Sequence, residues 1–311
     1  MTCSMSSFLR TVWFTRHGDV RVVWRLVLFL LWAGLVGGLL AVALDLAGFS
    51  VQALEGPAAL AALLSATAFM TRRVNRKPFG AAGLARSRGA GRDFALGCFL
   101  GLLMMGGIFL VEYAVGFVHV ESRGLGLLDA FRVVATSVFL FTVAALGEEI
   151  LFRGYAFQTL MQGMTFLPAA LGMSALFALA HLGNPDISVF GLINVGLAGM
   201  WLSLAYLKTR TLWLPFGLHF SWNFCQTTLF AFPTSGIQMG ERALFSLSQG
   251  GPVWATGGTF GPEGGVLATI AILLCTGHIL KSSLYRRQDG VITLDSIEDL
   301  IPPGERKEEP A

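Results

Sequence analysis

Long apolar runs alternate with short polar segments from residue 22 to residue 284. A membrane-spanning helix needs roughly 20 mostly apolar residues, and eight runs approach that length. The pattern predicts an all-α fold, a polytopic membrane helix bundle of about eight transmembrane helices that forms one unit. The predicted spans are Val22–Leu44, Ala58–Met70, Phe94–Val118, Phe131–Phe152, Leu167–His181, Ile187–Leu207, Leu212–Phe230 and Gly264–Leu284.

The charged residues are few, and they lie between the apolar runs rather than within them. They make up 13% of the 311 residues, against 54% for hydrophobic residues, whereas a soluble domain carries roughly 25% charged residues. The first apolar run is too long for a cleavable signal, which favours a signal-anchor. With a net charge of +3 and no soluble basic domain, the composition indicates a multi-pass membrane protein that binds no nucleic acid.

Lysine and arginine predict the orientation of the helices, because cytoplasmic loops carry the excess of these residues. They cluster before the first span, in loop 72–92, after the sixth span and after the eighth. The loops that alternate with these hold only Arg123, Arg132 and Arg242. Both termini are therefore predicted to be cytoplasmic, in the cell (inner) membrane if the chain is bacterial. Loop 72–92 is also a candidate contact for anionic lipids.

One apolar run ends in "LGEEILFRGYAF", which places Glu148, Glu149 and Arg153 where charges are costly. Ionisable residues in spans usually face the bundle interior or a water-filled cavity. Glu149 lies four residues from Arg153, on the same helical face, and can pair with it. Glu148 lies five residues away, on a face rotated by about 140°. An unpaired carboxylate in a low-dielectric setting becomes a stronger base, so Glu148 is the predicted general base and Glu149 with Arg153 its support; the alternative is one structural ion cluster.

Two further spans carry polar pairs at helical spacing. Phe177 and His181 form F-x-x-x-H, and His219 and Asn223 form H-x-x-x-N. Residues four apart share a helical face, so each pair projects to one side. With the glutamates, three helices supply carboxylate, imidazole or amide groups to a single predicted site. The positions along the helices place this site in the cytoplasmic half to the middle of the membrane, with water reaching it from the cytoplasm.

Other polar residues of the spans are predicted to be structural. Glu112 and His278 are isolated near span ends, and Asn194 is placed to bridge helices by a hydrogen bond.

The three motifs, in this order on three hydrophobic helices, resemble those of the CAAX-protease and bacteriocin-processing (CPBP) family of intramembrane glutamate endopeptidases. The resemblance covers about Phe131–Phe230. It implies that Glu148 activates a water with the help of His181. It implies too that His219 and Asn223 form an oxyanion site, whose donors typically contribute about 10²–10³ in rate each.

The resemblance implies a peptide-bond hydrolase that needs no metal and no other cofactor. The partners expected for it are a peptide or protein substrate at the membrane and the surrounding lipid bilayer.

A zinc-dependent protease is an alternative reading, because Glu148, His181 and His219 could ligate zinc as one carboxylate and two histidines. The chain has no H-E-x-x-H motif, and Asn223 would have no role. Loss of activity on chelation would favour this alternative.

Two non-hydrolytic alternatives also stay open. The chain could act by binding alone, as a membrane immunity, scaffold or chaperone protein of the same fold, in which case Glu148→Gln would leave the phenotype unchanged. It could also be a transporter with Glu148 as proton carrier, although many transporters are built from repeats and this sequence shows none of convincing length.

The chain accordingly divides into six parts. Loop 231–263, which is rich in glycine and mildly apolar, is a candidate cap over the bundle. The parts are a cytoplasmic N-terminal segment at 1–21, N-terminal spans with basic loop 72–92 at 22–130, the CPBP-type protease core at 131–230, a non-cytoplasmic loop at 231–263, the last span at 264–284 and a disordered cytoplasmic tail at 285–311.

Overall fold

The computed structural model describes residues 13–14, 19–287 and 290–294. The other residues of the predicted N-terminal segment (1–21) and of the predicted C-terminal tail (285–311) lie outside the described residues. The described chain is mostly helical, and each predicted span coincides with a helix. The elements are α1 (Val22–Leu46), α2 (Val51–Phe69), α3 (Ala90–Ala114), β1 (Val118–Ser122), α4 (Leu127–Phe152), α5 (Tyr155–Met161), α6 (Phe166–Ala180), α7 (Val189–Thr209), α8 (Trp213–Phe224), β2 (Phe245–Gln249), α9 (Val253–Thr256) and α10 (Val266–Lys281).

Among the described residues, five helical segments are long and apolar enough to cross a membrane. They are α1, α2 with its π-helical continuation to Val74, α3, α4 with α5, and α7, while α6 and α10 are shorter apolar helices. α8 continues as a π-helix over Cys225–Leu229. The chain is therefore an integral membrane protein, whereas the count of eight spans and the orientation of the termini stay predictions.

A two-stranded antiparallel sheet corrects the expectation of an all-α fold. β1 pairs with β2 from Val118 opposite Gln249 to Ser122 opposite Phe245. The third predicted span ran to Val118, but α3 ends at Ala114, and the buried Val118 begins the strand. The strand reads V-H-V-E-S, an apolar–polar alternation that favours a strand over a helix and that is too short to stand out beside a long apolar run.

Small residues bring α3 and α8 into close contact. A Cβ on Gly97 would lie 2.5 Å from the carbonyl oxygen of Leu214, and one on Gly217 would lie 2.2 Å from that of Phe94. Membrane helices commonly use such residues to let their backbones approach. The contact fixes α8, which carries two of the predicted site residues.

The connections between helices gather at the two ends of the bundle. The segments 115–126, 181–188 and 230–265, which we call the loop face, lie together because β1 pairs with β2 and Gly236 packs against the backbone of Pro185. The segments 75–89, 162–165, 210–212, 282–287 and 290–294 form the opposite end, which we call the basic face. There the Leu212 amide donates to the Gly83 carbonyl (2.8 Å).

A short part of the predicted disordered tail packs on the basic face. The Leu294 amide donates to the carbonyl of Ala81 (3.1 Å), and the Lys77 ammonium donates to the carbonyl of Thr293 (2.9 Å). Leu294 is 1% exposed and belongs to a hydrophobic core cluster. A packed strap, residues 290–294, therefore stands where the sequence predicted disorder, because the buried side chains of Val291 and Leu294 and these hydrogen bonds hold it.

We expect Leu294→Ala to destabilise the detergent-solubilised protein by about 2–5 kcal/mol, the usual cost of truncating a buried leucine. Ile292→Ala is the matched control, since Ile292 is 52% exposed in the same strap. Thermal unfolding of both variants measures the difference. Equal melting midpoints for the two variants would contradict the packing of Leu294.

Candidate active site

The three motifs converge on one cavity of about 470 Å³. Glu148 enters it from α4, His181 from the end of α6, and His219 and Asn223 from α8. The wall is otherwise mainly apolar, with side chains of α4, α7 and α10. A concave, mostly apolar pocket with a few convergent polar groups is the usual form of a ligand or substrate site.

The predicted pairing of Glu149 with Arg153 is present. Arg153 Nη1 lies 3.0 Å from Glu149 Oε1, and both side chains are fully buried. Arg153 Nη2 also donates to the carbonyl of Gly199 on α7 (3.1 Å). A Cβ on Gly199 would lie 2.9 Å from the Cα of Ser174, so glycine permits the close approach of α7 to α6 that presents this carbonyl.

Glu149 has a second partner that the sequence did not predict. His219 Nδ1 lies 2.8 Å from the same Oε1 that Arg153 contacts. An ionised carboxylate only accepts hydrogen bonds, so Nδ1 carries the donated proton and Nε2 is left to act in the cavity. Residues 149 and 219 lie on different helices, and no spacing rule links them.

Glu148 differs from Glu149 as the helical geometry predicted. Its side chain is 35% exposed, against 0% for Glu149. Glu148 Oε2 lies 3.7 Å from His219 Nε2 and has no hydrogen-bond partner among the described residues. The two carboxylates thus flank one imidazole, and only Glu148 opens to the cavity.

Phe177 connects the remaining parts of the site. Its ring centroid lies 4.7 Å from that of His181 and 6.2 Å from that of His219. Arg153 Cζ lies 4.6 Å from the same ring, within the range of a cation–π interaction. The backbone carbonyl of Phe177 accepts from His181 Nδ1 (2.7 Å), so Nε2 of His181 is likewise the free ring nitrogen.

A break in the helix places Arg153 where it can reach α7. α4 ends at Phe152 and α5 begins at Tyr155, with Arg153 and Gly154 between them. A Cβ on Gly154 would lie 2.3 Å from the carbonyl oxygen of Ile150. Glycine is therefore required at position 154. The break directs the Arg153 side chain into the bundle, where it contacts α7.

A carboxylate from the loop face also lines the cavity, and sequence reasoning missed it. Glu263 Oε1 accepts from Trp222 Nε1 (3.1 Å), and Oε2 accepts from the amide and the hydroxyl of Ser235 (2.7 Å each). Loop 231–263 therefore contributes to the cavity wall. No sequence pattern signals this contribution, because Glu263 stands alone in a glycine-rich loop.

Asn194 and His278, two of the three residues interpreted as structural, make hydrogen bonds to other parts of the chain. Asn194 bridges elements as predicted: its amide donates to the carbonyls of Glu263 (2.8 Å) and Gly265 (3.0 Å), and its oxygen accepts from Thr269 (2.7 Å). His278 Nε2 lies 3.1 Å from the hydroxyl of Tyr285. Glu112 is fully buried, away from the cavity.

The cavity extends from the loop face to Glu148, Leu151 and Phe152 near the opposite end of α4. At the loop face it is lined by Ala180, His181, Asn184, Ile237 and Met239, all exposed or half-buried. Access of water from the cytoplasm stays a prediction.

The described residues contain no arrangement of ligands that favours the zinc hypothesis. The described part of the chain holds no group of three or more His, Cys, Asp and Glu side chains placed to bind a metal ion. Whether the protein needs a cofactor stays a prediction, which chelation tests.

Comparison with known proteins identifies the segment that carries these motifs. Residues 130–225 match the family model described as type II CAAX prenyl endopeptidase Rce1-like. No curated protein and no solved structure matches the chain. The matched residues include every predicted site residue, and they agree with the segment on which the resemblance rested. Residues 130–225 are therefore an Rce1-like domain of the CPBP family, a family of membrane proteases.

Proposed function

We propose that this protein is an intramembrane endopeptidase in which Glu148 activates a water for peptide hydrolysis. The observation that carries the proposal is the unequal surroundings of the two glutamates. Glu149 is buried and bonded to Arg153 and His219, whereas Glu148 faces the cavity, and its Oε2 has no hydrogen-bond partner among the described residues. A carboxylate in that position is free to take a proton, and its neighbour is fixed as support.

The first step is attack of water on the scissile carbonyl carbon. Glu148 takes one proton of the water as the oxygen–carbon bond forms, and the electron pair of the carbonyl moves to its oxygen. His181 assists by accepting through Nε2, since its Nδ1 already donates to the Phe177 carbonyl. Both side chains line the same cavity, as a water held by both of them requires.

The second step stabilises and then collapses the tetrahedral intermediate. Asn223 donates its amide to the oxyanion, and His219 donates through Nε2 when its ring carries both protons. The carbon–nitrogen bond then breaks, and Glu148 returns its proton to the leaving nitrogen. The products are a carboxylic acid and an amine, so water is the only co-reactant.

We expect Asn223→Ala to lower kcat by about 10²–10³ with little change in KM, because an oxyanion donor acts mainly in the transition state. Asn184→Ala is the matched control, since Asn184 is another amide at the rim of the same cavity. Steady-state cleavage of a peptide substrate measures both variants. An equal loss in the two would contradict the assignment of Asn223 as an oxyanion donor.

The proposal is tested by incubating the purified protein, in proteoliposomes, with a library of membrane-inserted and lipid-modified peptides. The reactions are run with and without a chelator, and products are identified by mass spectrometry. Cleavage that persists in chelator is the expected result. Chelator-sensitive cleavage that returns with added zinc would replace the proposal by the metalloprotease alternative, and absence of cleavage across the library would favour a protein that acts by binding.

A further inference from the structure

A second hollow of the bundle lies between α3 and α10, apart from the candidate active site. It has a volume of about 560 Å³ and is lined by residues of these two helices, and we call it the lateral groove. Its floor holds the buried side chains of Met104, Ile108 and Cys275, and its walls hold exposed ones, among them Phe99 and Leu274. The groove and the active-site cavity share no lining residue.

The length of the lateral groove is close to that of one hydrocarbon leaflet. Along α3 it extends from Phe99 to Val111, which at about 1.5 Å per residue corresponds to about 18 Å. The hydrocarbon core of a bilayer is about 30 Å thick, so one leaflet contributes about 15 Å. The lining is apolar apart from His278, and an acyl chain that lies in one leaflet therefore matches the groove in length and in chemistry.

Both groove helices carry a cation at their basic-face end, on the side that lines the groove. Arg92 precedes Phe99 by seven residues, and Lys281 follows Leu274 by seven. Residues seven apart share a helical face. Lys281 and His278 together line a further hollow of about 540 Å³, which adjoins the lateral groove at Leu274. The apolar groove thus leads to a basic site.

The cations at this end are exposed to a ligand. Arg92 is 47% exposed, and its guanidinium donates to Asp93 (3.1 Å) and to the carbonyl of Leu284 (3.4 Å), which brings the segment after α10 next to α3. Arg286 in that segment and Lys281 are exposed, and neither forms a salt bridge with a described carboxylate. These two charges are therefore left for a group from outside the chain.

We propose that the lateral groove binds one anionic phospholipid, with an acyl chain along Phe99–Val111 and the phosphate at Lys281 and Arg286. Basic pockets between transmembrane helices commonly bind anionic headgroups. Ammonium and guanidinium groups donate charge-assisted hydrogen bonds to phosphate oxygens. A zwitterionic lipid fits the same groove but gains less from the two cations, because its headgroup carries a cation of its own. The site is separate from the proposed hydrolysis and does not depend on it.

Gly107 offers a variant that fills the lateral groove. It lines the groove, and a Cβ at this position would meet no atom within 4 Å. Gly107→Leu therefore places a side chain where the acyl chain would lie, without a clash in the protein. Gly38 on α1 is also exposed with no atom within 4 Å of its Cβ position, so Gly38→Leu is the matched control.

A second pair of variants tests the charges. Lys281→Gln with Arg286→Gln removes the two cations assigned to the phosphate. Arg86→Gln with Arg88→Gln is the matched control, because both arginines are exposed in loop 72–92 of the same basic face. All four side chains are exposed, so the fold should tolerate these changes, and the melting midpoint of each variant checks it.

The measurement is a titration of delipidated protein in detergent with phosphatidylglycerol and with phosphatidylcholine of identical acyl chains, in which native mass spectrometry counts the bound lipids. We expect one phosphatidylglycerol to bind at least about tenfold more tightly than phosphatidylcholine, since each cation contributes about fivefold. The double glutamine variant at 281 and 286 should lose that preference. Gly107→Leu should weaken both lipids about tenfold, the loss expected when about two methylenes leave the groove, and neither control should have these effects.

Three results would overturn the proposal. Equal weakening of phosphatidylglycerol by the two charge variants would mean a diffuse attraction to the basic face instead of a site. Unchanged lipid binding in Gly107→Leu would exclude the groove, and a dimer that this variant dissociates would assign the groove to a helix of a second copy. Equal affinity of the wild type for the two lipids would exclude the role of the cations. Because the titration needs no substrate, its outcome is independent of whether Glu148 activates a water.

Discussion

Replacing Glu148 by glutamine is expected to lower kcat for peptide cleavage by about 10²–10⁴, the usual contribution of a general base. Glutamine keeps the size of the side chain but cannot take the proton of the attacking water. The fold should persist, because Glu148 Oε2 makes no hydrogen bond among the described residues and the side chain is partly exposed. Binding of the peptide should therefore persist as well.

The measurement is single-turnover cleavage by wild type and Glu148→Gln, with the melting midpoint of each as the control for folding. Glu263→Gln is a useful comparison, because Glu263 is a second carboxylate of the same cavity whose two oxygens are already engaged by Trp222 and Ser235. Cleavage by Glu148→Gln within about threefold of wild type would exclude this side chain as the base, since a general base contributes far more than that.

Contacts within one helix could be predicted from the sequence, whereas contacts between helices could not. The spacing of four residues predicted the bond of Glu149 to Arg153, and the offset of one residue predicted that Glu148 would face elsewhere. The bond of His219 to Glu149 joins two helices through residues that are 70 positions apart in the sequence. That bond depends on how α4 and α8 pack, and no local periodicity encodes it.

The same distinction between local and distant contacts separates the parts of the fold that could be predicted from those that could not. Runs of apolar residues predicted where the helices lie, because a membrane requires each spanning segment to be long and apolar. The same rule carries no information about segments outside the spans. The β1–β2 pair, the strap ending at Leu294 and the contribution of Glu263 to the cavity all lie there, and each depends on a contact distant in sequence.

Neutralising Glu149 alone is expected to destabilise the whole protein. Glu149 and Arg153 are both buried, and their bond spans 3.0 Å. Removing one partner of a buried ion pair typically costs about 3–5 kcal/mol, because the other charge is left without compensation. Glu149→Gln should therefore lower the melting midpoint sharply, and Arg153→Met should do the same. Glu148→Gln, one residue away, is the matched control that should not.

The double variant separates the charge from the packing. Glu149→Gln with Arg153→Met leaves no uncompensated charge, and the glutamine oxygen can still accept from His219 Nδ1. Replacing both members of a buried pair is often close to neutral, so the double variant should be more stable than either single variant. A double-mutant cycle of thermal or chemical unfolding measures the coupling, which for contacting residues is about 0.5–3 kcal/mol.

Additive losses in that cycle would contradict the ion pair as the source of stability. They would mean that each side chain acts through separate contacts, such as the bond of Arg153 to the Gly199 carbonyl. Recovery of stability in the double variant also gives a folded background in which to measure cleavage. If cleavage stays low there while the melting midpoint is restored, then the Glu149–Arg153 pair acts in catalysis as well as in folding, and the lost charge that faces His219 Nδ1 is one part of it.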